Sequence, residues 1–171
     1  MNQSELSHIH YRITPPQGGM PNMGQLLRTF GRSRCSNLYD GRDWQFDESC
    51  PDLDRGPNER VVYLHKPARS WNLIEMAEWG RTQRIADADP QSYRFGNRGY
   101  RLADPIDLYA FYVASCPTGG SKNIIGGGSF VVDGQVSYVS CLWWFNGEPH
   151  FDVIERDFQF RPDQSALFVV R

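Results

Sequence analysis

Lysine is nearly missing from this sequence of 171 residues: of its 18 basic side chains only Lys66 and Lys122 are lysines, and the rest are arginines. The formal net charge is only −2, which excludes a basic protein that coats nucleic acid and an acidic tail alike. No apolar run approaches the ~20 residues that a membrane-crossing helix needs, so no membrane span is expected. Cys35, Cys50, Cys116 and Cys141 show no CxxC spacing, and His8, His10, His65 and His150 do not fall near them in metal-ligand register. No metal and no cofactor are therefore expected, although a Cys35/Cys50 bridge stays open in an oxidising compartment. Residues Met1 to Leu6 lack a basic start and an apolar segment; no signal peptide is read there, and localisation defaults to the cytoplasm or a virion interior.

What the sequence does hold is aromatic side chains, 13% of the total, and an apolar fraction of 40%. Those values describe a single globular domain with one sizeable core. Within 1–171, residues 1–59 are rich in Gly, Pro, Asn, Asp and Arg and read as loop with short elements, and the core is expected over 60–171.

Val61-Val62-Tyr63-Leu64 is a β-branched and aromatic run closed by Pro67, as in a buried strand. Ser70 is placed as the N-cap of a helix through Trp71, Leu73, Ile74, Met76, Ala77 and Trp79 that stops near Gly80. A second helix is signalled by Asp104 as N-cap, Pro105 at the first helical position and Asp107 in the first turn, and it ends before Pro117. Pro117-Thr118-Gly119-Gly120 forms a turn, and Asp133-Gly134 and Asn146-Gly147 mark two hairpins. The last strand, Ala166 to Val170, is apolar on both faces and belongs in the middle of a sheet. One strand, two helices and then antiparallel strands give the α+β class.

Gly126-Gly127-Gly128 has β-formers on both sides and no following Lys-Ser/Thr, so a bulge or close backbone approach is expected there rather than a phosphate cradle. Trp143-Trp144-Phe145 is the anomaly. Side chains alternate between the two faces of a strand, so three consecutive large rings cannot share one core, and at least one should point to solvent or to a partner. A hydrolase is the competing idea, with Cys141 or Ser140 as nucleophile and His150 as base across a hairpin, but no third orienting group is legible.

Three segments, in order, resemble a known family. Gly99-Tyr100-Arg101-Leu102-Ala103-Asp104-Pro105 is similar to the helix entry of variable proteins from diversity-generating retroelements, above all the archaeal and small-genome bacterial kind. Ile124-Ile125-Gly126-Gly127-Gly128-Ser129-Phe130 resembles the glycine-rich strand of those proteins and of the related formylglycine-generating-enzyme-like domains, and Ala166 to Arg171 resembles their terminal strand. The resemblance covers roughly residues 60–171. It departs at Ala166, where the family motif carries Arg or Gly, and at Asp104, where it carries Thr.

The resemblance implies a C-type lectin-like fold with two helices and antiparallel sheets, its N- and C-terminal strands paired and a second, irregular sheet displaying the ligand surface. It also implies a non-enzymatic ligand-binding display protein whose surface codons are diversified by a retroelement, with a macromolecular ligand, a protein, as partner. The surface would lie in about 137–163 and comprise Trp143, Trp144, Phe145, Asn146, Glu148, His150, Asp152, Ile154, Arg156 and Phe158. Phe151, Val153, Leu167 and Val169 would hold the frame. Glu148-Pro149 is followed by His150 rather than by the Asn of calcium-dependent lectins, so no calcium site is expected. The paired cysteines of the formylglycine-generating enzymes are not recognisable at Cys116 or Cys141, which argues against oxidase activity.

Residues 102–171 hold 4 basic and 8 acidic side chains, and an acidic presenting region disfavours nucleic acid. The alternative is a PUA-like nucleic-acid module, with Arg32 and Arg34 as its phosphate contacts, or the small hydrolase using Cys141 and His150.

Overall fold

Most of the apolar runs become strands. The computed structural model describes residues 10–16, 22–46, 58–82, 99–115 and 123–170; His8, Cys50, Cys116 and the turn at 117–120 lie outside them. The strands are β1 (His10–Ile13), β2 (Gln45–Phe46), β3 (Arg60–His65), β4 (Tyr100–Leu102), β5 (Asn123–Asp133), β6 (Val136–Phe145), β7 (Glu148–Glu155) and β8 (Gln164–Val170). The helices are α1 (Met23–Phe30), α2 (Leu73–Thr82) and α3 (Pro105–Ser115). The fold is α+β, with all eight strands in one sheet of order β1-β3-β8-β5-β6-β7. β2 is attached to β5 and β4 to β8.

β8 occupies the centre, as its two-sided apolar pattern requires. It pairs antiparallel with β3, Val62 opposite Val169, and parallel with β5, Ile125 opposite Ala166. The parallel pair departs from the all-antiparallel expectation. The chain leaves β5 through two hairpins, and residues 156–163 then return it to the beginning of β8, so β8 runs in the direction of β5. The first and last strands of the 60–171 part lie side by side, and among the described residues the earlier β1 pairs with β3 alone. A separate second sheet is not found among the described residues, because β5 carries hydrogen bonds continuously from β8 to β6.

A strand buried on both faces needs two cores. Ile124, Leu142, Phe151, Leu167 and Val169 point to one side and pack with Leu26 and Phe30 of α1 and Leu108 and Phe111 of α3. Ile125, Val139, Cys141, Ala166 and Phe168 point to the other and pack with Leu73 and Met76 of α2. The sheet is thus sandwiched between α1 with α3 and α2.

The helix boundaries follow their caps. Asp104 Oδ1 accepts from the N–H groups of Ile106 and Asp107, so Asp104 caps α3 as expected. In α2 the cap is Asn72 instead of Ser70: its Oδ1 accepts from Glu75 N–H while Glu75 Oε2 accepts from Asn72 N–H. This reciprocal pair satisfies two donors that Ser70 would lie too far back to reach. Trp71 therefore sits outside the helix, bridged to Phe160. A third helix, α1, stands where loop with short elements was expected, and Asn22 and Gln25 cap it in the same reciprocal way.

The glycine run makes the expected irregularity, since the β5–β6 register shifts between Gly126 and Phe130. Its physical reason is the β4–α3 junction: Gly128 N–H donates to Ala103 O at 2.9 Å, and a Cβ on Gly128 would meet Leu102 O at 2.3 Å. Only glycine lets the two backbones come that close.

Beside this junction lies a buried charge group. Asp107, wholly inaccessible, accepts from Arg60 at 2.5 Å and from Arg101 at 2.8 Å. Asp104 is buried next to it. Burial, and then the negative charge of Asp107, push the Asp104 carboxyl up from 3.8 to about 7, against the opposing pull of Arg101. A folded-state value above the unfolded one means that the native state holds a proton which the unfolded chain has already released. Stability from this group is full below about pH 4 and is lost progressively as the pH rises through about 7. Denaturant midpoints are therefore expected to be higher at pH 5 than at pH 8. Asp104→Asn keeps the capping oxygen and should flatten that slope; an unchanged slope in the variant would place its origin elsewhere.

Candidate functional site

The hairpin β6–β7 is built to hold side chains rigidly on two opposite faces. Its turn has positive φ at both loop residues, Asn146 (51°) and Gly147 (80°), which suits the right-handed twist of the flanking strands. The eight register pairs run from Phe145 opposite Glu148 to Tyr138 opposite Glu155. This pairing settles the aromatic anomaly. Trp143 and Phe145 share the face of Val139 and Cys141, while Trp144 shares the face of Leu142 and packs against the α1/α3 core.

The outward end of the Trp143 face is an aromatic platform. Trp143 and its register partner His150 stack with ring centroids 4.5 Å apart, and Phe145 lies 6.2 Å from Trp143 and 6.4 Å from His150. Phe145 is 58% exposed. Trp143 Nε1–H donates to Asp152 Oδ2 at 3.4 Å, and Asp152 Oδ1 accepts from Val153 N–H. Tyr39 donates its hydroxyl to the Asp152 carbonyl at 2.9 Å from the opposite side. Burial pushes that hydroxyl well above its usual range, so it stays a donor. Two rings, an imidazole and a carboxylate are thus preset with little freedom left to lose on binding.

The ten candidate residues do not form one surface. Trp143, Phe145, His150 and Asp152 come together on the platform, with Asn146 in the turn and Glu148 at its edge, 3.7 Å from Arg34. Ile154 lies further along the same face, half-buried against the α2 core. Arg156 turns its guanidinium over the Phe130 ring at 4.2 Å. Phe158 packs on Phe160 at 4.7 Å and belongs with the frame. Trp144 joins the frame too, on the other side of the sheet. Phe151, Leu167 and Val169 are buried and Val153 is partly so, all in the α1/α3 core.

The nucleophile candidates are placed differently. Ser140 donates to Gly126 O inside the sheet, on the face opposite His150. Cys141 is buried, its register partner is Asp152, and burial pushes its thiol far up, away from the reactive thiolate. Cys35 is a free thiol that donates to Leu26 O, and burial raises it to about 11. Arg34, a candidate phosphate contact, faces Glu148.

Two features were not singled out in the sequence. The Arg60–Asp107–Arg101 group joins residues up to 47 positions apart, which no local pattern links. The outward face of α2 carries Ile74, 81% exposed, although Ile74 was assigned to the apolar stripe; moving the cap from Ser70 to Asn72 leaves the periodicity of Leu73 and Met76 to define that stripe. Among the described residues no helix is long and apolar enough to cross a membrane. No protein-family model matches this sequence, and neither a curated protein nor a solved structure matches it.

Proposed function

We propose that this chain is a non-enzymatic display protein of C-type lectin-like fold, related to the variable proteins of diversity-generating retroelements. Its β6–β7 hairpin presents Trp143, Phe145, Asn146, Glu148, His150 and Asp152 to a protein partner. One observation carries the reading. On a single stiff hairpin, Phe145 is mostly exposed while Leu142 and Phe151, close by in the same ladder, are wholly buried. Such a framework lets outward groups change without disturbing the groups that fold it. The pairing of β3 with β8 and the glycine run in β5 also suit the resemblance. The platform is rimmed by carboxylates, which weighs against the nucleic-acid alternative. No Cys141–His150 hydrogen bond exists among the described residues to favour the hydrolase.

The neighbouring DNA provides the test. Sequencing the locus should reveal a reverse transcriptase and a near-copy of the 3′ coding end that differs at adenines. Those adenines should fall in codons for the platform residues and spare those of Leu142, Phe151, Leu167 and Val169. A locus without such a copy, or substitutions concentrated in the frame codons, would overturn the assignment.

A further inference from the structure

The register of the β6–β7 hairpin places its rings and its carboxylates on one face. Trp143 stands opposite His150, and Phe145 opposite Glu148 in the next row toward the turn. Side chains opposite one another share a face. Asp152 belongs to that face as well, since its carboxylate reaches the Trp143 indole. Phe145 is mostly exposed and Trp143 and His150 are half-buried, so the rings stand at the protein surface without being wholly in water.

The electrostatics of this face have one sign. An aromatic ring carries negative charge density on its flat faces. The Trp143 N–H is committed to Asp152 Oδ2 at 3.4 Å, and a donor bonded to a carboxylate leaves its ring richer in electrons. Glu148 adds a full negative charge beside Phe145. Its side chain is 64% exposed, and Arg34 at 3.7 Å lies beyond hydrogen-bond reach, so this surface pair restrains it only weakly. Rings and carboxylates together attract a cation, and a flat one best: a guanidinium lies against a ring while its N–H groups, in the ring-parallel plane, reach a carboxylate at the side. An ammonium is compact and strongly hydrated and gains less from the rings. Phosphate would be repelled by the carboxylates. A neutral sugar would cover the rings but leave their charge complement unused.

The geometry points to an arginine side chain of the protein partner as the group that the platform receives. The guanidinium lies on the Phe145 ring beside the Trp143–His150 stack and donates to Glu148. Asp152 acts through Trp143, holding the indole in place and making its face more attractive to the cation. This inference rests on the reading of the hairpin as a display surface, and names the chemistry that the present set of displayed side chains selects.

The test uses the full chain, labelled with nitrogen-15 and titrated with three acetylated, amidated tripeptides that carry arginine, citrulline or lysine between two glycines. Citrulline keeps the shape of arginine and lacks its charge. The arginine peptide should give saturable shifts in the Trp143 indole N–H and in the amides of residues 143–152, weakening as salt is raised. Citrulline should bind at least fivefold more weakly, as expected when a cation–π contact and an ion pair are lost together, with lysine in between. Phe145→Leu, which keeps an apolar side chain but no ring, and Glu148→Gln should each weaken arginine binding roughly two- to fivefold. Both change exposed side chains and should keep the dispersed spectrum of the folded chain, and Ile74→Ser on α2 should bind as the parent does. Equal binding of citrulline or of a neutral methyl glycoside would overturn the inference. So would an unaltered affinity in both platform variants, shifts centred away from the hairpin, or an absence of saturable shifts. The display reading has its own test in the DNA, so the two fail separately: an adenine-altered copy beside a chain that cannot tell arginine from citrulline would remove this inference alone, and arginine-selective binding without such a copy would remove the retroelement assignment alone.

Discussion

Asp107→Ala is expected to lower the unfolding free energy by about 3–5 kcal/mol, the range for removing one member of a buried ionic group. Two guanidiniums, Arg60 and Arg101, converge on this carboxylate, and none of the three side chains is more than 6% exposed. Removing the negative charge leaves two positive charges close together without water to screen them, which costs more than the lost hydrogen bonds alone. A domain has only about 5–15 kcal/mol in hand, so the variant should be partly unfolded near body temperature. Asp107→Asn keeps the volume and one acceptor but not the charge, and should lose nearly as much. Urea unfolding followed by tryptophan fluorescence reads both. A loss below about 1 kcal/mol in either variant would mean that the group contributes no net Coulombic stabilisation.

Phe151→Ala is expected to cost a further large amount, about 3–5 kcal/mol. Phe151 is fully buried where α1, α3 and the sheet meet: its ring lies 5.4 Å from Phe30, 5.0 Å from Tyr39 and 6.2 Å from Tyr109. Truncation opens a cavity among rings that are each held by other neighbours, so the site cannot collapse to fill it. Phe145→Ala, on the same hairpin, should change stability by less than about 0.5 kcal/mol, because its ring is mostly in water already. The contrast between the two is the quantity to measure, by parallel denaturant titrations. Similar losses in both would show that the platform rings are part of the folding core, and the division into frame and display would fail.

The readable parts of this fold were those governed by neighbours in the chain. Asp104-Pro105 marked a helix start because a cap and a missing amide act within one turn. Asn146-Gly147 marked a hairpin because positive φ at two successive positions suits few other pairs. Capping also explains the two errors. Asn22 with Gln25 carries the signal of α1, and Asn72 with Glu75 that of α2, but the loop-like composition around the first and the nearby Ser70 beside the second mask them. The platform was half legible: alternation demanded that one ring of Trp143, Trp144 and Phe145 be exposed, without saying which.

The sequence by itself determined the class of fold, the places of its two hairpin turns and of the Asp104 cap, and the central position of the last strand, because each depends on backbone preferences or on a period of a few residues. Only the tertiary structure decided the rest. The parallel pairing of β8 with β5, the side of the sheet on which each aromatic ring stands, and the meeting of Arg60 and Arg101 at Asp107 all depend on how distant segments cross. Long-range contacts leave no periodic trace in the chain, since their energy comes from whichever surfaces happen to be brought together when the two cores close.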